Sequence, residues 1–181
     1  MRAFIGIPID NETATKIYQY AEYYQKLCGR QFLKLSQVKN YHITLSFLGE
    51  INSLQLMHLE DQFKMLDQYN LTAFNLDLVS ILPFPVTNPK VIAVMVKPNE
   101  ILINLQKKLL SIVNSAAIFQ KRGKFIPHLT IARVKVSKNL AKPYYPLLEI
   151  QQKLDVNKII LYESQLFKTG AHYTPKLYYR W

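Results

Sequence analysis

A short motif that occurs twice, at matching points of two similar stretches, limits this chain more than any other feature. Residues 40–50 read NYHITLSFLGE and residues 127–133 read PHLTIAR, so His42-Ile-Thr44-Leu returns as His128-Leu-Thr130-Ile, 86 residues later. Both runs are strand-like, and strand alternation puts the histidine and the threonine of each copy on one face. In the first copy the same alternation predicts an oily face of Ile43, Leu45 and Phe47, and a polar face of His42, Thr44 and Ser46. Each copy follows a helix that itself follows a strand: RAFIGIPI leads the first unit and KVIAVMVK the second. Two of the four histidines therefore hold equivalent places in a duplicated strand–helix–strand unit. Units of this kind often pack about an approximate two-fold axis, which would bring the two H-x-T strands face to face across a cleft.

The rest of the chain continues the mixture. Strands are predicted over 2–9, 42–49, 72–81, 90–97, 128–136, 156–164 and 173–181, and helices over 11–28, 52–69 and 99–116. Asp10 or Asn11 caps the first helix and Gly29 ends it, while Asn52 or Ser53 opens the second. LPFPVTNP, residues 82–89, reads as a Pro-rich turn and PYYPLLE, residues 143–149, as a loop. No linker or low-complexity segment divides the chain, so residues 1–181 are expected to form one α+β domain.

Composition narrows the setting. Hydrophobic residues make up 49% of the chain and charged ones 19%, a globular balance. One cysteine, Cys28, allows no intrachain disulfide, and the apolar run at the N-terminus is too short for a signal peptide or a membrane span. A cytoplasmic location is the expectation. Lys and Arg number 23 against 12 acids, a net charge of +11. Residues 97–142 carry ten basic residues and one acid, which is +9 of that excess. A surface so charged attracts polyanions, nucleic acid first among them.

Paired histidines in two facing strands suit acid–base chemistry on a phosphodiester. An imidazole titrates near pH 6.5, so one of the pair can be neutral while the other is protonated. The neutral ring takes a proton from the attacking water or hydroxyl, and the imidazolium opposite gives one to the leaving oxygen. In-line displacement at phosphorus needs these groups on opposite sides of the phosphate. The hydroxyls of Thr44 and Thr130 share the histidine faces, where they can donate to the non-bridging oxygens. Neither motif has an Asp, Glu or Cys at nearby same-face spacing, so no metal site is expected. A G-x-S-x-G elbow, a P-loop and a dinucleotide fingerprint are absent. His58 and His172 stand outside the repeated context and read as structural or solvent-facing.

YHITLSFLGE and FIPHLTIARVK resemble the paired motifs of the 2H phosphoesterases. Within these, the chain is similar to the RNA 2′,3′-cyclic phosphodiesterases, long called 2′-5′ RNA ligases. The likeness includes MRAFIGIPI, the LPFP turn with PKVIAVMV, and the closing YESQLFKTGAHYTPKLY. It implies a bilobed α+β fold: two pseudo-symmetric lobes of mainly antiparallel sheet flanked by helices, with the site in the cleft between them. It implies hydrolysis of RNA 2′,3′-cyclic phosphate ends to 2′-phosphates, tRNA fragments among them, without metal or organic cofactor; a site enclosed between two lobes of one chain gives no need for a dimer, so a monomer is expected. Joining of RNA ends through a 2′-5′ linkage and cleavage of 2′-5′ oligonucleotides remain alternatives on the same fold, as does an RNA-binding module without turnover. Carried over by position, His42 is the proton donor, His128 the proton acceptor, and Thr44 and Thr130 bind the phosphate. Arg133 matches an arginine of the family and is a candidate RNA contact. Strict alternation nevertheless puts Arg133 on the Leu129 face, away from His128, unless the strand bends or ends there. Phe84 and Tyr173 are aromatics within reach of a base.

Overall fold

Strand pairing in the computed structural model, which describes residues 1–118, 123–135, 144–168 and 170–181, grows outward from the two motif strands. Strand β3 (His42–Glu50) and strand β6 (His128–Val134) lie antiparallel, joined at Ile43↔Leu129. Strand β1 (Arg2–Pro8) flanks β3, and strand β5 (Val91–Val96) flanks β6. Beyond β1 come β8 (Lys158–Phe167) and β9 (Gly170–Arg180); beyond β5 come β4 (Phe74–Phe84) and β7 (Leu148–Val156). The order β7-β4-β5-β6-β3-β1-β8-β9 is thus symmetric about the β6–β3 seam. A short strand β2 (Leu33–Leu35) adds to the edge of β6 that β3 also uses. The fold is α+β, built of two similar halves of antiparallel strands, as the family resemblance implies.

Three helices cover the apolar face. Helix α1 (Asn11–Cys28) follows β1 but packs against β6 and β7, in the opposite half. Helix α3 (Glu100–Ser115) follows β5 but packs on β3. Each unit's helix therefore covers the other unit's sheet, and the halves share one core that includes Ile5, Ile43, Leu129 and Ile131. Helix α2 (Ser53–Lys64) lies against β9. Two caps are those the sequence reading named: Asp10 accepts from Thr13 N–H, and Asn52 closes a capping box with Gln55; Asn99, accepting from Leu102 N–H, caps α3.

Four differences from the sequence reading have physical causes. The second helix leaves α geometry after Lys64 and tightens into a 3₁₀ segment over Met65–Tyr69. Strand β4 runs on through Pro83 into the expected turn. It does so where β7 has already ended at Ile81↔Leu148, and a missing N–H is tolerated in a stretch paired on one edge. Strand β7 occupies residues expected to be a loop or left unassigned, together with Val156, which was expected to open the strand over 156–164. Its buried Ile150, Leu154 and Val156 keep period two, but Glu149, Lys153 and Asp155 between them mask the signal and suit a charged edge strand. β2 is too short to carry a period at all. Of the basic segment, Lys121, Arg122, Lys138 and Lys142 lie outside the described residues. Among the described residues no helix is long and apolar enough to cross a membrane.

Ile43 and Leu129, at 0% and 1% exposure, lie at the seam between the halves. Leu129→Ala is expected to cost about 2–5 kcal/mol of stability, read from urea denaturation. Ile43→Ala should act non-additively with it, because the two residues are paired directly.

Candidate active site

The seam fixes the site. Extending the Ile43↔Leu129 register by one residue each way sets His42 across from Thr130 and Thr44 across from His128. Directly opposed residues of an antiparallel pair have Cβ atoms about 4.5–5.5 Å apart. All four side chains are half-buried, while Ile43 and Leu129 between them point into the core. The four predicted site residues thus come together on one face, each histidine facing the other motif's threonine.

Both histidines are tethered alike. His42 Nδ1–H donates to the Asn40 carbonyl at 2.7 Å, and His128 Nδ1–H to the Ile126 carbonyl at 2.8 Å. A carbonyl only accepts, so each neutral ring carries its proton on Nδ1 and keeps a lone pair on Nε2. His42 Nε2 lies 3.1 Å from Thr44 Oγ1, a hydroxyl that donates to the neutral ring or accepts from the charged one. A phenyl ring backs each imidazole: Phe4 lies 4.6 Å from His42 and Phe84 4.5 Å from His128, between centroids. Tyr173 meets His42 edge-on at 5.2 Å. Both aromatics singled out in the sequence therefore touch a histidine. Gly6 lets β1 come close, since a Cβ there would lie 3.4 Å from His42 Cδ2 and 3.1 Å from the Ile43 carbonyl oxygen.

A bulge follows each motif and changes what the face carries. On β3 the register with β1 slips at Leu45, between Ile5↔Ser46 and Gly6↔Thr44. On β6 the register with β5 slips at Ile131, between Ile92↔Ala132 and Ala93↔Thr130. An extra residue reverses the alternation beyond it. Ser46 and Ala132 therefore turn into the core, at 3% and 1% exposure, and Phe47 and Arg133 turn out onto the histidine face. This corrects the expected oily face of Ile43, Leu45 and Phe47: Phe47 is 70% exposed on the other side. It also answers the question left by Arg133, whose strand does bend. The signal for Phe47 was in the repeat, because its counterpart five residues after His128 is an arginine that no core would accept.

His58 and His172 stay apart from the site. His58 Nε2–H donates to Ser115 Oγ at 3.0 Å, tying α2 to α3, and exposed His172 packs edge-on against Phe167.

Comparison with known proteins places this geometry. Residues 7–93 match the family described as LigT like Phosphoesterase. An RNA 2′,3′-cyclic phosphodiesterase of Aquifex aeolicus is 30% identical over a 184-residue alignment covering 96% of this chain and 94% of that protein. The chain belongs to the LigT-like phosphoesterases of the 2H superfamily. A Methanocaldococcus jannaschii protein, also named RNA 2′,3′-cyclic phosphodiesterase, is 29% identical, with 96% of each chain covered. Among solved structures, a Thermus thermophilus protein superimposes with a TM-score of 0.82 at 22% identity, over 99% of this chain and 97% of that one. Escherichia coli LigT, solved with 3′-AMP, gives a TM-score of 0.75 at 23% identity, over 99% and 97%.

In this LigT-like phosphoesterase the first histidine is electrostatically distinct. Burial holds the His42 pKa below its ordinary 6.5; the Asn40 carbonyl opposes that shift, and His128 adds to it. The folded state therefore binds fewer protons at this ring than the unfolded chain does. Its contribution to stability is complete above pH 6.5 and is lost as pH falls from 6.5 through the lower folded pKa. Melting temperatures measured across this range should fall with acidification in the wild type and fall less in His42→Asn.

Proposed function

We propose that this protein hydrolyses the 2′,3′-cyclic phosphate at an RNA end to a 2′-phosphate, using His42 and His128 as a metal-independent acid–base pair. The observation that carries this reading is the cross-strand arrangement, in which each histidine faces the other motif's threonine and both rings are tethered through Nδ1. The relatives named RNA 2′,3′-cyclic phosphodiesterase support the substrate class.

A cyclic phosphate bound between the two motifs has one imidazole on either side. His128 Nε2 takes a proton from water as its oxygen attacks phosphorus. The bond from phosphorus to the 3′ oxygen breaks, and His42 Nε2–H gives that oxygen its proton. Thr44 and Thr130 hydroxyls donate to the non-bridging oxygens, whose charge rises in the transition state. The free His42 ring favours its neutral form, whereas a donor must enter the reaction charged. The phosphodiester supplies the difference, since an anion beside the ring favours the imidazolium. Phe47, exposed on the same face, offers the substrate base a surface to stack on that is indifferent to base identity.

Assays on a short RNA with a 2′,3′-cyclic end decide the reading. His42→Ala and His128→Ala should each lower kcat by roughly 10²–10⁴-fold with the fold retained, and EDTA should leave the rate unchanged. Full activity in either variant would sink the proposal. Proton NMR of the His42 ring should show its pKa rising when inorganic phosphate is added, and no rise would remove His42 from the donor role.

A further inference from the structure

His42 stands inside a half-sheet that closes on itself. In the sheet order β1 and β8 separate β3 from β9, three strand spacings or about 14 Å in a flat sheet. Tyr173 of β9 nevertheless meets the His42 ring at 5.2 Å, with Phe4 of β1 and Tyr162 of β8 packed beside it. The half-sheet therefore curls around this ring until β9 returns to the turn that precedes β3. A side-chain hydrogen bond joins the two ends there. Asn40 Nδ2–H donates to the Ala171 carbonyl at 2.8 Å, across 131 positions of sequence.

Asn40 is also the residue whose carbonyl holds His42 Nδ1–H at 2.7 Å. It ends the 3₁₀ turn Val38–Asn40, where its own N–H donates to the Gln37 carbonyl at 2.9 Å. The turn thus fixes its backbone from one side, and β9 fixes its side chain from the other. The carbonyl that the histidine uses takes its direction from both anchors. Because the acceptor on β9 is itself a carbonyl, a side chain of the same shape without a donor cannot make this bond. The second motif is built differently. Ile126 supplies the carbonyl for His128 Nδ1, but its side chain is aliphatic and exposed, and has nothing to donate.

A ring tethered through Nδ1 presents Nε2 along a fixed line, and a proton donor needs that line to run to the leaving oxygen. A carbonyl that wanders lets the neutral ring exchange its proton between the two nitrogens and turn. The same carbonyl also supports the imidazolium against the cost of burial. We propose that Asn40 is a positioning residue for the proton donor: its side-chain bond to β9 holds in place the carbonyl that aims the His42 ring. The proposal rests on the acid–base reading, in which His42 is the donor, and deepens it by naming a residue that acts through that ring without touching the phosphate.

The test uses Asn40→Ala and Asn40→Leu, the second of which keeps the side-chain volume and removes the donor. On a short RNA with a 2′,3′-cyclic end, each should lower kcat by roughly 10–10²-fold with little change in KM, since a misaimed donor weakens the transition state more than the bound substrate. In a His42→Ala background the same substitutions should cost nothing further. Full kcat in the single variants, or an equal loss in both backgrounds, would overturn the proposal. Nitrogen-15 NMR, at a pH where both rings are neutral, gives an answer independent of turnover. His42 should be the Nδ1–H tautomer in the wild type and a mixture with Nε2–H in Asn40→Leu, while the His128 signals stay as they were. An unchanged His42 ring, or equal disturbance of both rings, would remove Asn40 from this role. Should His42→Ala keep full activity, the donor reading fails on its own account, and the ring spectra alone decide whether Asn40 positions His42.

Discussion

The backbone register at Ile43↔Leu129 is the constraint on which the rest of this structure depends. It is the seam between two similar halves, and both side chains there are buried. Because strand side chains have period two, a slip of one residue on either strand would turn its histidine into the core and its isoleucine or leucine out to solvent. Such a slip is costly on the core side alone, so apolar packing beneath the seam holds the chemistry above it. The crossed helices reinforce this arrangement. With α1 on β6 and β7 and α3 on β3, neither half can bury its sheet without the other.

Two devices then turn a duplicated sequence into a site whose centre is symmetric and whose edges are not. The tethers to Asn40 and Ile126 need only a backbone carbonyl, and each motif supplies one two residues upstream of its histidine. The bulges at Leu45 and Ile131 likewise depend on backbone geometry, and the carbonyls they free find partners. Ile131 O accepts from Ser36 N–H at 2.8 Å, and Leu45 O lies 3.5 Å from Gln106 Nε2 on α3. What the bulges turn outward is free to differ between the halves. One side presents a phenyl ring and the other a guanidinium, suited respectively to a base and to a phosphate.

Much of this was legible in the sequence, and the parts that were not share a cause. The extents of α1 and α3, the caps of α1, the α+β class and the shared face of His42, Thr44, His128 and Thr130 follow from periodicity, capping chemistry and the internal repeat. The orientation of Phe47 and Arg133 did not, because strict alternation assumes an unbroken ladder and a bulge leaves no mark in a single run of residues. The register between β2 and β6, which sets Lys34 across from Arg133, was hidden for a related reason. Their pairing spans 99 positions and runs through a three-residue strand. Strand β7 hid behind its charges, which an edge strand welcomes and a central strand would reject.

The two motifs, alike in sequence, also stand in unlike surroundings. His42 is packed among Phe4, Tyr162 and Tyr173, whereas His128 leans on Phe84. Among the described residues no carboxylate partners either ring; the tether to each is a neutral carbonyl. A carboxylate would hold an imidazole in its charged form before substrate arrives. A carbonyl orients the ring and sets its tautomer while leaving the charge to be decided by what binds. In a chain with a net charge of +11, the negative charge at these rings is the one the proposed substrate brings. In the proposed reaction, binding of the phosphodiester and charging of its proton donor are a single electrostatic event, coupled through the half-buried ring of His42.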